Sequence, residues 1–276
     1  MTRLRTEWIT YMLDGMDDYN RSLAARTGMD LAGLVMETFG VSKADFDAAR
    51  SSVRVAVVPV TQGEGIIGSF AQSVAAIILS MGFQADVMEH TDVDGIYDAS
   101  RGGYQVLFLA DDIRYLALNI RSGLYSDNNY ATALGFIRAL FAMMRKAGKD
   151  PMSEKILQIG YGIVGKESAK ILTAAGVDFD LYDKDRSAVS DFSGKILSGK
   201  NEISAYQYIL DFTNEGGWLR REDLREDVLY ASPGVPYSIE EDAAASFEER
   251  AVHDNLEIGT AIMLGESLFG KPKALI

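Results

Sequence analysis

Apolar positions change their spacing along the chain, and the change divides it into regions of different structure. From Arg3 to Arg50 they recur at helical intervals. One helical face carries Trp8, Met12, Met16, Tyr19 and Leu23, and another carries Leu31, Leu34, Val35 and Phe39. From Val53 onward, continuous apolar runs alternate with turns and helices. This alternation predicts N-terminal helices followed by a parallel α/β sheet.

The first α/β region contains three predicted strands, "VRVAVVPV", "FQADVME" and "YQVLFLA", with the glycine-rich turn "TQGEGIIG" and a helix over Phe70–Met81. A long helix follows, and one of its faces carries Tyr130, Leu134, Ile137, Phe141 and Met144. Gly148 and Pro151 are typical helix-stop residues. We therefore predict a first domain over residues 1–150 and a second over residues 151–276.

The second predicted domain opens with a strand–turn–helix–strand unit. The apolar strand Lys155–Ile159 leads into a G-x-G-x-x-G sequence, a helix follows as far as Gly176, and the strand Val177–Tyr182 ends at Asp183. The glycine sequence consists of Gly160, Tyr161, Gly162, Ile163, Val164 and Gly165. This context indicates a Rossmann dinucleotide-binding turn, whereas the glycine spacing alone is weak evidence for one.

Each part of that unit has a predicted role in cofactor binding. Gly160 allows the tight turn, Gly162 lets the pyrophosphate approach the backbone, and Gly165 allows close packing of helix and strand. Asp183 is expected to bind the adenosine ribose, and its charge favours NAD over NADP. Lys184 and Arg186 lie nearby, so the sequence does not exclude NADP as the cofactor.

The remaining strands of the second domain complete the predicted cofactor site. Two strands, Tyr206–Asn214 and Asp227–Gly234, end at the edge of the sheet where ligands bind. They place Thr213 and Pro233 among the candidate cofactor residues. The last helix, Ile258–Phe269, is expected to return to the first domain and close a cleft.

Composition narrows the classes of function. With 27 basic and 40 acidic residues the formal net charge is −13, which argues against nucleic acid and anionic membrane surfaces as partners. No apolar run is long enough to span a bilayer, and the N-terminus does not resemble a signal peptide. The sequence has no cysteine, which favours the cytoplasm and excludes thiolate catalysis and cysteine-ligated zinc. A homo-oligomer is compatible with the sequence.

Histidine offers few candidates for acid–base chemistry or metal binding. His90 and His253 are the only two histidines. His253 and Glu257 would share a face if their segment were helical, but a metal ion needs more ligands than this pair supplies. We predict no metal site.

Three polar turns in the first domain are the candidate substrate site. "TQGEGIIGSF" carries Gln62 and Glu64, "LADDIRYLALN" carries Asp111 and Asp112, and "YSDNNYATA" carries Asn128. Each turn taken alone is explained by capping of its own backbone. Together their carboxylates suit a substrate that bears ammonium groups, and Arg114 and Arg121 are available for a carboxylate.

These turns also carry a family resemblance. "RVAVVPVTQGEGIIGSF", "FLADDIRYLALN", "DNNYATA", "QIGYGIVGK" and "LEIGTAIML", together with the N-terminal pattern from Leu4 through "GMDLAGLVMETFG", resemble the pyrrolysine synthases. The resemblance covers most of the chain. It implies NAD-dependent oxidation of the terminal amine of L-lysine-Nε-3-methyl-D-ornithine, release of ammonia and closure of the pyrroline ring.

The resemblance also implies roles for individual residues. Leu4 and the turn with Gln62 and Glu64 would line the substrate channel. The polar groups of the ornithine part would be held by Ala110, Asp111 and Asn128. Glu257 is the candidate for proton transfer, and Glu266 is the alternative to it. Asp111 is the second candidate catalytic residue.

Two other functions remain open on sequence grounds. Another NAD-dependent dehydrogenase, of the amino-acid or methylene-folate type, would use the same architecture. A non-catalytic NAD-binding sensor is the second alternative, although the chain has no basic stripe or recognition helix.

Overall fold

A computed structural model describes residues 4–272 of the chain and divides it into two compact units. Within the described part, the first unit contains residues 4–22, 30–132 and 256–272, and the second contains residues 23–29 and 133–255. Arg3, the start of the predicted helical region, lies outside the described residues, as do residues 273–276 of the predicted second domain. The domain limits 1–150 and 151–276 stay predictions, because backbone proximity does not define which part folds on its own.

The described part of the predicted N-terminal helical region contains three α-helices. They are α1 (Met12–Thr27), α2 (Leu31–Phe39) and α3 (Lys43–Ser52). The Asp30 side chain caps α2 by accepting a hydrogen bond at 2.8 Å from the backbone N–H three residues later. Gly40 ends α2 in the left-handed conformation, with φ of 62°. Trp8 lies ahead of α1, in a separate 3-10 turn over Thr6–Trp8.

The first unit contains a five-stranded sheet. Its elements, in chain order, are β1 (Arg54–Pro59), α4 (Phe70–Ser80), β2 (Gln84–Val87), α5 (Asp92–Arg101), β3 (Val106–Ala110), β4 (Tyr115–Asn119) and β5 (Tyr125–Asp127). The strand order is β2-β1-β3-β4-β5. The strands β2, β1 and β3 run parallel to one another. The pairs β3–β4 and β4–β5 are antiparallel.

The three predicted strands are therefore parallel, as expected, whereas the sequence did not predict β4 and β5, which are antiparallel. The sequence predicts a turn for the segment "LADDIRYLALN", but the second half of this segment forms β4. Burial alternates along β4 between buried and half-buried side chains. The sequence hides this alternation because Tyr115, Leu116, Ala117 and Leu118 are all apolar or aromatic on both faces.

A long central helix, α6 (Asn128–Lys146), follows β5. Every residue from 131 to 144 is buried, Arg138 included. The sequence predicted one apolar face, whereas a helix that is buried on all sides needs small or apolar residues around its whole circumference. Alanines at positions 131, 133, 139 and 142 meet this need.

The second unit contains a wholly parallel sheet. Its elements are β6 (Ile156–Ile159), α7 (Ile163–Ala175), β7 (Phe179–Tyr182), β8 (Tyr208–Asp211), β9 (Leu229–Ser232), α8 (Glu241–Phe247) and β10 (Ala251–His253). The strand order is β10-β9-β8-β6-β7, so the chain reverses its direction of winding between β6 and β8. In a doubly wound sheet the ligand crevice lies at such a reversal. The predicted fold class, N-terminal helices and an α/β region followed by a Rossmann domain, is confirmed.

The last helix, α9 (Glu257–Phe269), is part of the first unit. Its residues 257–267 are all buried. A Cβ atom at Gly265 would lie 2.3 Å from the Phe39 ring, which explains how closely α9 packs against α2. Among residues 4–272 no helix has the length and apolar content needed to cross a membrane.

Candidate functional site

The predicted dinucleotide turn lies between β6 and α7. Gly160 has φ of +86°, a conformation that residues with a side chain rarely adopt. A Cβ atom at Gly165 would lie 2.3 Å from the Gly160 carbonyl oxygen, so only glycine lets α7 pack this closely on the turn. The turn and the helix–strand packing thus have the geometry of a Rossmann glycine sequence.

The space next to Gly162 tests whether a dinucleotide fits the turn. Gly162 precedes α7 in an extended conformation, and no side chain caps the helix. A Cβ atom at Gly162 would meet no protein atom within 4 Å. The neighbouring Ile163 is 63% exposed and Val164 is half-buried. An uncapped helix N-terminus with open space in front of it fits a pyrophosphate, because its N–H groups and partial positive charge favour an anion.

The buried side chain of Gln158, on β6, holds the glycine turn in place. The sequence analysis did not predict this role. Its side chain is fully buried, and its Nε2 group donates to the Gly160 carbonyl at 3.0 Å and to the Gly165 carbonyl at 2.8 Å. One amide thus ties the first and last glycines together. A glutamine inside the apolar strand "ILQI" is the signal that could have identified it, because buried polar side chains are hydrogen-bonded.

Asp183 lies at the end of β7 beside the turn. One carboxylate oxygen accepts from the Tyr161 N–H and the other from the Asp185 N–H, both at 2.8 Å. The two nearby cations are held by other groups: Lys184 pairs with Glu215, and Arg186 donates to a backbone carbonyl at 2.6 Å. The carboxylate therefore stands at the turn itself, while both cations have partners of their own.

Thr213 and Pro233 lie on the opposite side of the reversal point. A Cβ atom at Gly160 would lie 3.1 Å from the Thr213 Cγ2 atom, and one at Gly234 would lie 2.6 Å from the Thr213 carbonyl oxygen. Pro233 immediately precedes Gly234. The turns after β6, β8 and β9 therefore meet at Thr213, as the sequence predicted for the carboxyl edge of the sheet.

A buried carboxyl group supports this edge, and the sequence analysis did not single it out. Asp211 ends β8 and is fully buried. It accepts hydrogen bonds from the Tyr230 hydroxyl and, at 2.8 Å, from the Thr213 N–H. Burial raises the pKa of Asp211 above its ordinary value, and these hydrogen bonds oppose the shift. Through these two hydrogen bonds, Asp211 fixes the backbone that carries Thr213.

In the first unit, the structure links two of the three predicted turns. Asp112 accepts a hydrogen bond from the Glu64 N–H at 2.6 Å, and its carboxylate fills the space beside Gly63. Gln62 and Glu64 are exposed in this glycine-rich turn. The Asp111 Oδ1 atom accepts hydrogen bonds from the backbone N–H groups of Ile113 and Arg114, at 2.7 Å and 2.6 Å. Asp111 is thus a turn-capping residue as well as a candidate for substrate binding.

The third predicted turn contacts the beginning of α9. A Cβ atom at Gly259 would lie 2.8 Å from the Thr132 Oγ1 atom and 3.3 Å from the Asn128 Oδ1 atom. Ala110, the last residue of β3, is half-buried. Leu4 is half-buried as well and precedes the 3-10 turn, in which Thr6 would lie 3.0 Å from a Cβ atom at Gly68.

The two candidate glutamates occupy different parts of α9. Glu257 is its first residue and is fully buried, and its Oε1 atom accepts a hydrogen bond from the Tyr11 hydroxyl. Glu266 is buried two and a half turns later and accepts from the Ser126 hydroxyl at 2.5 Å. Burial raises the pKa of Glu266 above its ordinary value. Tyr11 was not among the predicted site residues, and nothing local in the sequence connects it with Glu257.

The histidines are not arranged as a metal pair. His253 ends β10 and Glu257 begins α9, so the two residues do not share a helical face. The His253 Nε2 atom lies 2.8 Å from the Gly234 carbonyl oxygen, and burial lowers the pKa of this imidazole. His90 pairs with Asp98 on the surface. Across residues 4–272, no group of three or more histidine, aspartate and glutamate side chains is placed to hold a metal ion.

Comparison with known proteins identifies relatives along most of the chain. The family model described as "Pyrrolysine biosynthesis protein PylD, N-terminal domain" matches residues 9–126. The pyrrolysine synthase of Methanosarcina barkeri is 30% identical over 241 residues, which are 86% of this chain and 87% of the relative. The pyrrolysine synthase of Methanosarcina acetivorans is 29% identical over 242 residues, which are 86% and 88% of the two chains.

Two solved structures with similar folds are dehydrogenases of low sequence identity. The shikimate 5-dehydrogenase of Thermus thermophilus, in complex with NADP(H) and shikimate, has a TM-score of 0.50 and 16% identity, and the match covers 79% of this chain and 93% of that chain. The 5,10-methylenetetrahydrofolate dehydrogenase of the silkworm Bombyx mori has a TM-score of 0.51 and 9% identity, and the match covers 93% and 96%. These structures support the Rossmann-type fold. The sequence identity to the Methanosarcina enzymes shows more: the chain belongs to the pyrrolysine synthase family.

Proposed function

We propose that the protein is an NAD-dependent oxidoreductase of pyrrolysine biosynthesis. It oxidises the terminal amine of L-lysine-Nε-3-methyl-D-ornithine, ammonia leaves, and the ornithine α-amine closes the pyrroline ring. The observation that carries this proposal is the open, uncapped N-terminus of α7, at the reversal point of a parallel sheet, in a chain of the pyrrolysine synthase family. A nicotinamide dinucleotide bound there supplies the acceptor for the hydride.

The residues around the glycine turn support NAD as that cofactor. The N–H groups at the start of α7 would bind the pyrophosphate next to Gly162. Asp183 would accept hydrogen bonds from the ribose hydroxyls and would repel a 2′-phosphate. The cations that could otherwise bind such a phosphate, Lys184 and Arg186, are each bonded to another group. This arrangement favours NAD over NADP.

The first unit would bind the amino-acid substrate. Family resemblance assigns this role to residues whose positions are described above: Leu4, Gln62, Glu64, Ala110, Asp111 and Asn128. The substrate carries several ammonium groups, for which carboxylate and amide oxygens are suitable partners. No thiol is required because no acyl-enzyme forms, and the sequence has no cysteine.

We further propose Glu257, rather than Glu266, as the group that accepts the ammonium proton. Hydride can leave the carbon only after the attached amine has lost a proton, so a carboxylate near that amine accelerates the reaction. Glu257 lies two residues before Gly259, where an added Cβ atom would lie 3.3 Å from the Oδ1 atom of the candidate substrate residue Asn128. Glu266 lies nine residues further, about 13.5 Å along the helix.

The test is turnover of the synthetic isopeptide. The purified protein is incubated with NAD and L-lysine-Nε-3-methyl-D-ornithine, and NADH absorbance and product mass are followed together. We expect NADH and a product that has lost ammonia, with no reaction when ornithine or lysine replaces the isopeptide. NADH formed equally well from ornithine would indicate another amino-acid dehydrogenase. NAD binding without turnover of any of these amines would support a sensor instead.

A Glu257→Gln variant tests the proton acceptor in the same assay. Glutamine keeps the size of the side chain and an acceptor oxygen, but it does not take up a proton at neutral pH. We expect kcat to fall about 100-fold or more. The matched control is Glu266→Gln on the same helix, which should retain most of the activity. Near-normal turnover by Glu257→Gln would rule out Glu257 and move the assignment to Glu266 or His253.

A further inference from the structure

Tyr11 connects a buried carboxylate with the surface. Its hydroxyl donates a hydrogen bond to the Oε1 atom of Glu257, across 246 positions of sequence. Glu257 is 0% exposed, whereas Tyr11 is 47% exposed. Both residues lie in the first unit. A side chain that is half in solvent thus touches the acid that we propose as the proton acceptor.

The backbone around Tyr11 is anchored to the rest of the first unit. Its neighbours Ile9 and Met12 are fully buried. The Ile9 carbonyl accepts a hydrogen bond at 3.0 Å from the buried hydroxyl of Ser73 on α4. The backbone that carries the exposed tyrosine is therefore anchored on both sides of it.

The proposed reaction requires protons to leave the site. The reacting carbon and the two ammonium groups of the substrate together hold eight hydrogens. One stays on the ring carbon, one leaves as the hydride, and four leave in the ammonium ion. Two protons therefore pass to solvent in every turnover when the pyrroline nitrogen is released neutral. A carboxyl group without solvent contact needs a second group to pass them on.

We propose that Tyr11 is the proton outlet of Glu257, an inference that rests on the proposed function. Once Glu257 is protonated, its O–H bond breaks and a new O–H bond forms at the Tyr11 oxygen. The original phenolic O–H bond breaks as that proton passes to water or buffer. Glu257 is again a carboxylate and Tyr11 is again a neutral phenol, so no oxidant or further reactant is needed. Tyr11 acts through Glu257 and not on the substrate.

The Tyr11→Phe variant tests this relay, because it removes the hydroxyl and keeps the ring. In dilute buffer we expect kcat to fall about tenfold, with little change in NAD affinity or in the substrate KM. Imidazole added at increasing concentration should restore kcat in the variant, since a small buffer molecule can carry the proton that the phenol no longer carries. The wild type should respond little to imidazole.

Two controls separate a proton relay from a structural contact. Tyr97→Phe removes a hydroxyl from another exposed tyrosine of the first unit, 56% exposed and 3.1 Å from Arg101, and should leave kcat and its buffer dependence unchanged. Thermal unfolding reports whether Tyr11→Phe is destabilised. A fall in kcat that imidazole does not reverse, or no fall at all, would overturn the relay while Glu257→Gln still tests the base. A wild type that does not turn over the isopeptide would overturn the proposed function and the relay with it.

Discussion

The two candidate binding regions are built from different parts of the polypeptide. In the second unit, six consecutive residues from Gly160 to Gly165 present backbone groups and an empty space. In the first unit, the candidate residues are side chains from separate segments, and α9 places Gly259 close to Asn128. A backbone site is therefore damaged most by adding atoms, whereas a side-chain site is damaged most by removing them.

The largest effect is expected from adding atoms at the glycine turn. The side chain in Gly162→Val would occupy the open space in front of α7, where the pyrophosphate is expected. Because a Cβ atom there meets no protein atom and the backbone is extended, the variant should fold normally. We expect NAD affinity to fall by about 100-fold or more, with an unchanged unfolding temperature. Calorimetric titration with NAD and thermal unfolding measure the two quantities.

Gly165→Ala is the matched contrast in the same turn. Its Cβ atom would lie 2.3 Å from the Gly160 carbonyl oxygen, so this variant should lose stability as well as NAD affinity. If Gly162→Val also lost stability, the space beside Gly162 would have a structural role. If it retained NAD affinity, the pyrophosphate would bind elsewhere.

The difference between the two binding regions also explains which parts of them the sequence could predict. The glycine turn is local: strand, turn, helix and acid follow one another within Lys155–Asp183, so the sequence order already gives the geometry. The contact between Tyr11 and Glu257 depends on packing of the first helical segment and the last, and no spacing reveals it. The sequence failed to predict β4 for a second reason, since the apolar residues of this strand lie on both of its faces.

The next largest effect is expected at Asp111, where one side chain has two roles. Asp111→Asn keeps the Oδ1 acceptor that caps the turn but removes the negative charge. We expect the substrate KM to rise about tenfold without a change in the unfolding temperature. Asp111→Ala removes the cap too and should also lower the free energy of unfolding by about 1 kcal/mol. NAD affinity should stay unchanged in both, and an Asn variant with normal KM would leave Asp111 as a capping residue alone.

A smaller effect is expected from Asp183→Ser, which alters a side chain within the backbone site. The serine retains a hydroxyl but not the charge that repels a 2′-phosphate. NAD affinity should fall about tenfold and NADP affinity should rise, so that the preference narrows. Calorimetry on the variant and the wild type measures the affinities for both dinucleotides and so tests whether Asp183 sets the preference for NAD. A wild type that binds both equally would mean that Lys184 and Arg186 leave their partners when NADP binds.

The smallest effect is expected at Glu266, in the pH dependence of stability. Burial raises the pKa of this carboxyl group, while the Ser126 hydroxyl and Lys271 oppose the shift and Asp127 adds to it. In the unfolded chain the group loses its proton near the ordinary value of 4.5, but in the folded protein it keeps the proton to higher pH. Between these two pKa values the folded state binds more protons, so stability falls as pH rises. Glu266→Gln, which is neutral at every pH, should lose this part of the slope. Denaturant unfolding of both proteins across this pH range measures the difference, and identical slopes would show that the folded and unfolded states hold this proton equally tightly.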